Sequence, residues 1–387
     1  MKIFIALSRI PYPLDKGDKL RAYHQIKELI ALHHHVTICC IHFGKADAPF
    51  IQHLRELGGD WHFIRLSPWM AACRMAINIF RKTPFQVALF HSKRAQQKID
   101  SILKSAKPDH ILTQLVRTSE YFKMHVQYKK SIDYMDALGF GLERRAQHSH
   151  WSVKWMLNEE SQRMYRYENV IWNYYDHHFI ISQKDALKIR IPHHQSMTIL
   201  SNGIDTHYFK RKDYPLGNKI VFTGNMGYPP NVDAALFLIR EVMPLVWENN
   251  PLIHVVIAGA DPNRLILKEK SSRVEITGRV DDIRKYYEQA ALFVAPMRLG
   301  TGMQNKILEA LSMEIPVITT EIAAEAFHPE IKKHLMVGTN SETLANLISH
   351  SYRPHTSPNE KMRDLVVKEY NWKNIMKKFI DTIDENK

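Results

Sequence analysis

The sequence predicts an α/β protein made of two facing Rossmann-like halves, each built on its own parallel sheet, with a cleft between them. Three observations carry this expectation. Short apolar runs alternate with longer amphipathic stretches, which is the pattern of βα units. The pattern starts afresh near residue 219, after the turn-rich, basic stretch NGIDTHYFKRKDYPLGN. At 387 residues the chain is also longer than one ordinary core organises, so two domains of roughly 150–200 residues are expected.

In chain order, the first half offers the strands KIFIAL (2–7), HVTICCI (35–41), WHFIRL (61–66), HILTQL (110–115), SIDYM (131–135) and HHFIIS (177–182). The second half offers KIVFTG (219–224), HVVIAG (254–259), VEITG (274–278), LFVAP (292–296), PVITT (316–320) and HLMVG (334–338). β-Branched and aromatic residues dominate these runs, as a sheet buried on both faces requires. Amphipathic segments such as NVDAALFLIREVMPLVWEN and DIRKYYEQA lie between them and read as helices. The expected domains are 1–205 and 206–369. The final stretch, about 370–387, is an amphipathic helix without a strand, expected to pack back on the first domain.

Composition excludes several classes. No apolar run approaches the ~20 residues that span a bilayer, and the N-terminal MKIFIALSRIPYP reads as a first strand rather than a signal peptide. Cys39, Cys40 and Cys73 form no spaced framework, which suits a reducing cytoplasm. No G-x-G-x-x-G follows a first strand, so a nicotinamide enzyme is disfavoured. The carboxylates of DYMD (133–136) point apart by strand alternation, and HHH (33–35) fills a helix-to-strand turn. No metal site is expected.

Charge is unevenly spread. Residues 1–200 hold 29 Lys and Arg against 17 Asp and Glu, whereas residues 201–387 hold 24 against 23. The basic first half is expected to face something anionic. Its segment 67–94 mixes Trp69, Met70, Ile77, Ile79 and Phe80 with Arg74, Arg81, Lys82, Lys93 and Arg94, a composition suited to an interfacial helix on anionic lipid. A core-facing helix with a solvated basic side fits the same segment. No nucleic-acid recognition motif accompanies the charge.

The strand ends hold the candidate site residues. FTGNMGYPPN (222–231) places Gly224 and Asn225 directly after a strand, where backbone can approach a ligand. GTGMQNKILEAL (300–311) turns through Gly300, Thr301 and Gly302, continues with Met303, Gln304 and Asn305, and opens a helix whose unpaired N–H groups suit phosphate. Lys306 adds a full charge one turn in. Glu309 lies three residues later on the same face, where sugar or ribose hydroxyls would be its natural donors. The same spacing also fits a Lys–Glu pair on a solvated helix face. ITGRVDDI (276–283) offers Arg279 to a phosphate or base, with Asp281 or Asp282 as a helix cap. In the first half, YPLDKGDKLRAYHQIKELI (12–30) sets Gly17 and Asp18 before a helix carrying Arg21 and His24.

The run ITGRVDDIRKYYEQAALFVAPMRLGTGMQNKILEALSMEIPVITT resembles the donor-binding core of family 4 glycosyltransferases of the GT-B fold. The segments ILSNGIDTHYF (199–209), PYPLDKGDKLR and FTGNMGYPPNVDAALF fit the same pattern, most like the bacterial transferases of exopolysaccharide and exosortase systems. The resemblance implies a retaining hexosyltransferase that needs no metal or other cofactor. A nucleotide-sugar donor would be held by the second domain and a lipid-linked or glycan acceptor by the first, at the cytoplasmic face of a membrane. It implies that Glu309 accepts ribose hydroxyls, that the amides of Gly302 and Met303 hold the diphosphate, and that Arg279 and Val280 flank the base. Gly17 would let the first domain close on the phosphates, and Asp18, Arg21 and His24 would meet the acceptor.

The sequence departs from the family at three places. Thr301 stands where many members have a glutamate eight residues before Glu309. FTGNMGYPPN lacks the usual cations, leaving Lys306, Arg298 and Arg279 to replace that charge. TQLVRTSEY (113–121) lacks the usual histidine, which leaves Asp136 as the polar candidate beside the sugar. A nucleotide-sugar 2-epimerase or a non-catalytic basic binding protein of the same fold are the competing expectations.

Overall fold

The computed structural model describes residues 1–384 except 80, 148, 213–216, 300–302 and 356–359. It divides into two compact units, Met1–Ser201 with Ile375–Lys387, and Asn202–Asn374.

The first unit holds β1 (Lys2–Leu7), β2 (His35–His42), β3 (Asp60–Arg65), β4 (His110–Gln114), β5 (Lys129–Asp133), β6 (His177–Ile180) and β7 (Thr198–Ile199). They form one sheet in the order β3-β2-β1-β4-β5-β6-β7, parallel throughout. The second unit holds β8 (Lys219–Thr223), β9 (His254–Ala258), β10 (Val274–Ile276), β11 (Ala290–Ala295), β12 (Val317–Thr320) and β13 (Met336–Gly338). Their order is β10-β9-β8-β11-β12-β13, again all parallel. Both sheets therefore build outward from their first strand in one direction, then cross back to its other side. That reversal lies between β1 and β4 in one unit and between β8 and β11 in the other. Ligands of open parallel sheets bind at the carboxyl ends of the strands beside such a reversal.

Burial explains the strands' composition. Helices cover both faces, so β4 is buried along its whole length and β11 likewise. The first core gathers Phe4, Ile41, Ile111 and Ile132, and the second Phe222, Val256, Phe293 and Val294. Each such side chain contributes roughly 1.5–3 kcal/mol through its removal from water.

Three local features differ from the sequence reading. β5 lies two residues earlier than SIDYM suggests, because the chain turns at Met135, which sits at φ +64°. The two-residue β7 carries too few residues to show a pattern. The segment 67–94 is not one helix: Pro68–Asn78 and Phe85–Phe90 are separate helices, with Pro84 starting the second.

Candidate active site

Glycine shapes the carboxyl ends of β8 and β9. Gly224 adopts φ +153° and Gly259 φ +143°. A Cβ on Gly259 would lie 1.8 Å from the Gly224 carbonyl oxygen, so backbone meets backbone there and no side chain fits. The Gly224 N–H donates to the Ala258 carbonyl at 3.0 Å and the Met226 N–H to that of Ala260 at 2.7 Å. Asn225 braces the loop, accepting from the Gly227 N–H (2.8 Å) and donating to Asp261 Oδ2 (2.9 Å).

The helix Asn305–Ser312 sends Lys306 against this loop. Lys306 is buried, and its Nζ donates to Asn231 Oδ1 at 2.5 Å and stands 4.6 Å from the Phe222 ring centroid. Asn231 in turn donates to the Asn225 carbonyl at 2.9 Å. No carboxylate salt-bridges Lys306 among the described residues, and burial pulls its ammonium down to about 7 against the opposing pull of Glu309.

Glu309 has a different partner. The buried Tyr287 donates its hydroxyl to Glu309 Oε2 at 2.7 Å, with the Lys306 carbonyl 3.2 Å away and Thr223 Oγ1 at 2.7 Å. Burial raises the Glu309 carboxyl, while Tyr287 and Lys306 oppose that shift. The two residues are thus not a solvated ion pair. Lys306 reaches under the glycine loop, and Glu309 is half-buried against Tyr287.

The other candidates of this unit distribute as follows. Gly300, Thr301 and Gly302 lie outside the described residues. Met303 packs on the core, Gln304 occupies the helix-cap position, and Asn305 Oδ1 is buried without a hydrogen-bond partner among the described residues. Arg279 follows Gly278 (φ +71°) beyond β10, exposed and in no ion pair among the described residues, with Val280 half-buried beside it. Asp282 accepts from the Arg284 N–H at 3.0 Å and pairs with its guanidinium at 2.6 Å. The cap position of the helix Arg284–Glu288 is Ile283, with no side-chain cap bond, so the expected aspartate cap does not form. Arg298 is engaged away from the glycine loop. It forks onto Asp233 (2.7 and 3.1 Å), reaches Glu241, and stacks 4.1 Å from the Phe237 ring centroid. Its charge is matched by Asp233 and Glu241 and does not replace the missing loop cations.

In the first unit, Gly17 begins the helix Gly17–Ala31, exposed and with no atom near a would-be Cβ. Asp18 meets Arg9 at 3.2 Å. Arg21 is not presented to an acceptor: it is wholly buried, with Nε 2.6 Å from Asp133 Oδ2 and its terminal nitrogens donating to the carbonyls of Leu200 and Ser201. His24 is also buried, edge-on to Tyr23. Arg21 ties this helix to β5 and to the segment at Leu200 and Ser201. Asp136 lies beyond β5 and remains open to solvent, yet dense surroundings and the charge of Asp185 push its carboxyl up to about 6, with Arg117 opposing. Behind it, the buried Glu168 accepts from the Gly139 N–H and is raised to about 8 by burial.

Residues 217–353 match the family model described as glycosyl transferases group 1. That stretch is similar to the group 1 glycosyl transferases. The whole chain is 22% identical over 380 residues to an uncharacterised 44.6 kDa protein in the cps region of Klebsiella pneumoniae, covering 90% of this chain and 91% of that protein. In structure it is similar to a glycosyltransferase from Rickettsia africae, at TM-score 0.69 and 15% identity over 99% of this chain and 98% of that one. It is equally similar to HepE of Anabaena in complex with UDP, at TM-score 0.68 and 12% identity over the full length of both. The fold is that of the GT-B glycosyltransferases.

Around Lys306 and Glu309, three participants leave little trace in the sequence. Asn231 had one local sign, a polar residue following two prolines at a helix start. Gly259 ends its strand as Gly224 does, and that symmetry was available. Tyr287 had none, because a tyrosine in KYYEQA is ordinary until the fold aims it at Glu309. Among the described residues no three His, Cys, Asp or Glu side chains are grouped to hold a metal ion, and no helix is long and apolar enough to cross a membrane.

Proposed function

We propose that the protein is a retaining glycosyltransferase that moves a hexose-type sugar from a nucleoside diphosphate sugar to a lipid-linked or polysaccharide acceptor in bacterial surface-glycan synthesis. The observation that carries this reading is the division of labour on one helix. Lys306 offers a cation with no carboxylate partner among the described residues beneath the close glycine crossing. Tyr287 fixes one oxygen of Glu309, whose other oxygen has no hydrogen-bond partner among the described residues. A diphosphate fits the first arrangement and ribose hydroxyls the second.

The second unit then holds the donor and the first receives the acceptor. The bond from the anomeric carbon to the diphosphate oxygen breaks with its electron pair on the leaving group. An acceptor hydroxyl oxygen forms the new bond to that carbon, and its proton passes to the departing diphosphate. Fixed dipoles at the mouth of the helix and the Lys306 ammonium stabilise that charge without reorganising. Arg279, exposed beyond β10, flanks the base in this reading. Asp136 accepts a hydrogen bond from a hydroxyl of the sugar or acceptor. The diphosphate is neutralised by protein cations, with no metal cofactor. The protein works in the cytoplasm, at the inner membrane face. The group 1 match over residues 217–353 supports transfer over the epimerase alternative.

The test is calorimetric titration of UDP, GDP, ADP, dTDP and CMP with EDTA present, for the wild type and Glu309→Ala. One nucleoside diphosphate binding the wild type and at least tenfold weaker in the variant is the expected result. Failure of every one to bind would remove the donor site. The anomeric configuration of the product, read by NMR, decides retention.

A further inference from the structure

Lys2 opens β1, His35 opens β2 and Asp60 opens β3, so the amino ends of three neighbouring strands lie side by side. In their parallel register Lys2 stands beside His35, Thr37 beside Asp60 and Cys39 beside His62. Strand alternation therefore puts Lys2, His35, Thr37, Asp60 and His62 on one face of the sheet. Further along that face, Phe4, Cys39, Ile41 and Ile64 share a core with Ile99 and Leu103 of the helix Lys93–Ala106. Toward its carboxyl end the same helix offers Ser101, Ser105 and Ala106, which are too small to fill the space, with Ile102 beside them. A recess of about 640 Å³ remains between helix and sheet, the volume of a small-molecule site. It lies at the opposite end of the strands from the carboxyl ends where open parallel sheets usually bind their ligands.

The polar groups of this recess are unspent. Neither the five sheet residues nor Ser101 and Ser105 make a side-chain hydrogen bond or ion pair among the described residues. Thr37 is buried in the sheet, yet its hydroxyl is not sealed off from the recess. The backbone beneath them is held still. Asp109 accepts from the Lys2 N–H at 2.8 Å and returns its own N–H to the Lys2 carbonyl at 2.8 Å, while His35 donates to the Met1 carbonyl at 3.0 Å. Charge is balanced as well. Apart from the two histidines, Lys2 supplies the one cation of the lining and Asp60 the one carboxylate. The carboxyl end of the helix adds the negative pole of its dipole, which does not favour an anion. An ammonium only donates, a carboxylate only accepts, and hydroxyls and imidazoles do both. An apolar ligand would leave all of these groups without partners. A ligand that meets them must donate and accept at several closely spaced points and carry no net charge, which describes a polyhydroxylated ring.

We propose that this recess is a carbohydrate-holding site, which binds neutral sugar units of a glycan at the amino ends of β1, β2 and β3. Asp60 accepts from sugar hydroxyls, Lys2 donates to them, and Thr37, Ser101 and Ser105 do either. Such a site keeps a glycan on the protein while another part of the chain carries out transfer. The proposal rests on the surface-glycan reading for the source of the sugar, but not for the binding chemistry.

The test is saturation-transfer NMR on the full chain with the neutral trisaccharides maltotriose, cellotriose, mannotriose and triacetylchitotriose. It compares the wild type with Asp60→Ala, which removes the carboxylate, and Ser105→Tyr, which fills the recess from an exposed helix position. Glu309→Ala serves as the donor-site control, UDP is titrated in parallel, and thermal melts check folding. The expected result is that at least one trisaccharide binds the wild type and Glu309→Ala alike, and roughly tenfold more weakly to Asp60→Ala and Ser105→Tyr, with UDP affinity unchanged in those two. Absence of binding by every trisaccharide, or binding that survives either recess variant, would overturn the proposal. Loss of the trisaccharide signal in Glu309→Ala would place the sugar at the donor site, which also overturns it. Displacement of the trisaccharide by inorganic phosphate or glucuronate would make the recess an anion site, with the same consequence. A wild type that binds a trisaccharide in this way but no nucleoside diphosphate would sink the donor reading and leave the recess intact.

Discussion

At the scale of single residues, Lys306 makes the sharpest prediction. Its ammonium is buried, hydrogen-bonded to the neutral Asn231 amide, and lowered to about 7. In the unfolded chain the same lysine keeps its proton up to the ordinary lysine range. Between about pH 7 and that range the unfolded state therefore binds more protons, and this group makes stability rise with pH. Below pH 7 the cost of burying the charge is fully present. Lys306→Met should raise the melting temperature most at pH 6 and progressively less toward pH 10. An arriving diphosphate reverses the preference for the neutral form. Nucleoside diphosphate binding at pH 8 should take up a proton, seen as a buffer-dependent calorimetric enthalpy that Lys306→Met abolishes. Equal heats in phosphate and Tris buffers would show that Lys306 is not at the diphosphate. Tyr287 acts through Glu309, so Tyr287→Phe should weaken donor binding about tenfold while the fold persists. A variant that melts normally and binds as the wild type does would remove Tyr287 from that role.

At the scale of elements, the glycine crossing between the ends of β8 and β9 is the structural condition for the site. Gly259→Ala forces a Cβ to within 1.8 Å of the Gly224 carbonyl oxygen, and should cost about 2–4 kcal/mol of unfolding free energy in urea. Gly278→Ala is the control, since Gly278 has φ +71° but open space around it, and about 1 kcal/mol is expected. Equal losses at both would mean that conformation, not contact, governs the crossing. Arg21 ties the helix Gly17–Ala31 to β5 and to the carbonyls of Leu200 and Ser201. Arg21→Met leaves Asp133 buried without its cation, so about 3–5 kcal/mol should be lost in denaturant titrations. The elements also show what sequence makes legible. Twelve apolar runs correspond to twelve strands because both faces of each sheet are buried, and the helix opened by GTGMQNKILEAL is present from Asn305. Arg21, Arg298 and Tyr287 were not legible. A helix position reveals which face a residue takes, not that Asp133 or Asp233 waits there from a distant segment. Lys306 and Glu309 were legible as a pair, but only the packing of Asn231 and Tyr287 separates them.

At the scale of the whole molecule, the basic surplus of residues 1–200 coincides with an apolar surface that stays uncovered. Trp69 and Trp151 are each 78% exposed and Trp155 76%, so three large rings that could bury ~1.5–3 kcal/mol apiece remain in water. Trp69 stands at the start of the helix Pro68–Asn78, and Ile77 and Ile79 at its end are more than half exposed. Trp151 and Trp155 lie one turn apart at the start of the helix Trp151–Trp172. The two helices are joined where Arg163 donates to the carbonyls of Asn78 and Ile79. Exposed Arg81, Lys82 and Lys154 accompany the rings. Aromatic residues seated among cations match the boundary between anionic headgroups and acyl chains, and each nearby cation adds about 1 kcal/mol at that surface. Sedimentation with vesicles should therefore show binding to phosphatidylglycerol-containing bilayers that weakens between low and high salt and is slight on pure phosphatidylcholine. Trp69→Ser/Trp151→Ser/Trp155→Ser should weaken it at least tenfold without lowering the melting temperature, because none of the three rings is buried. Binding that ignores lipid charge, or survives loss of the tryptophans, would show that the surplus charge does not serve a membrane surface.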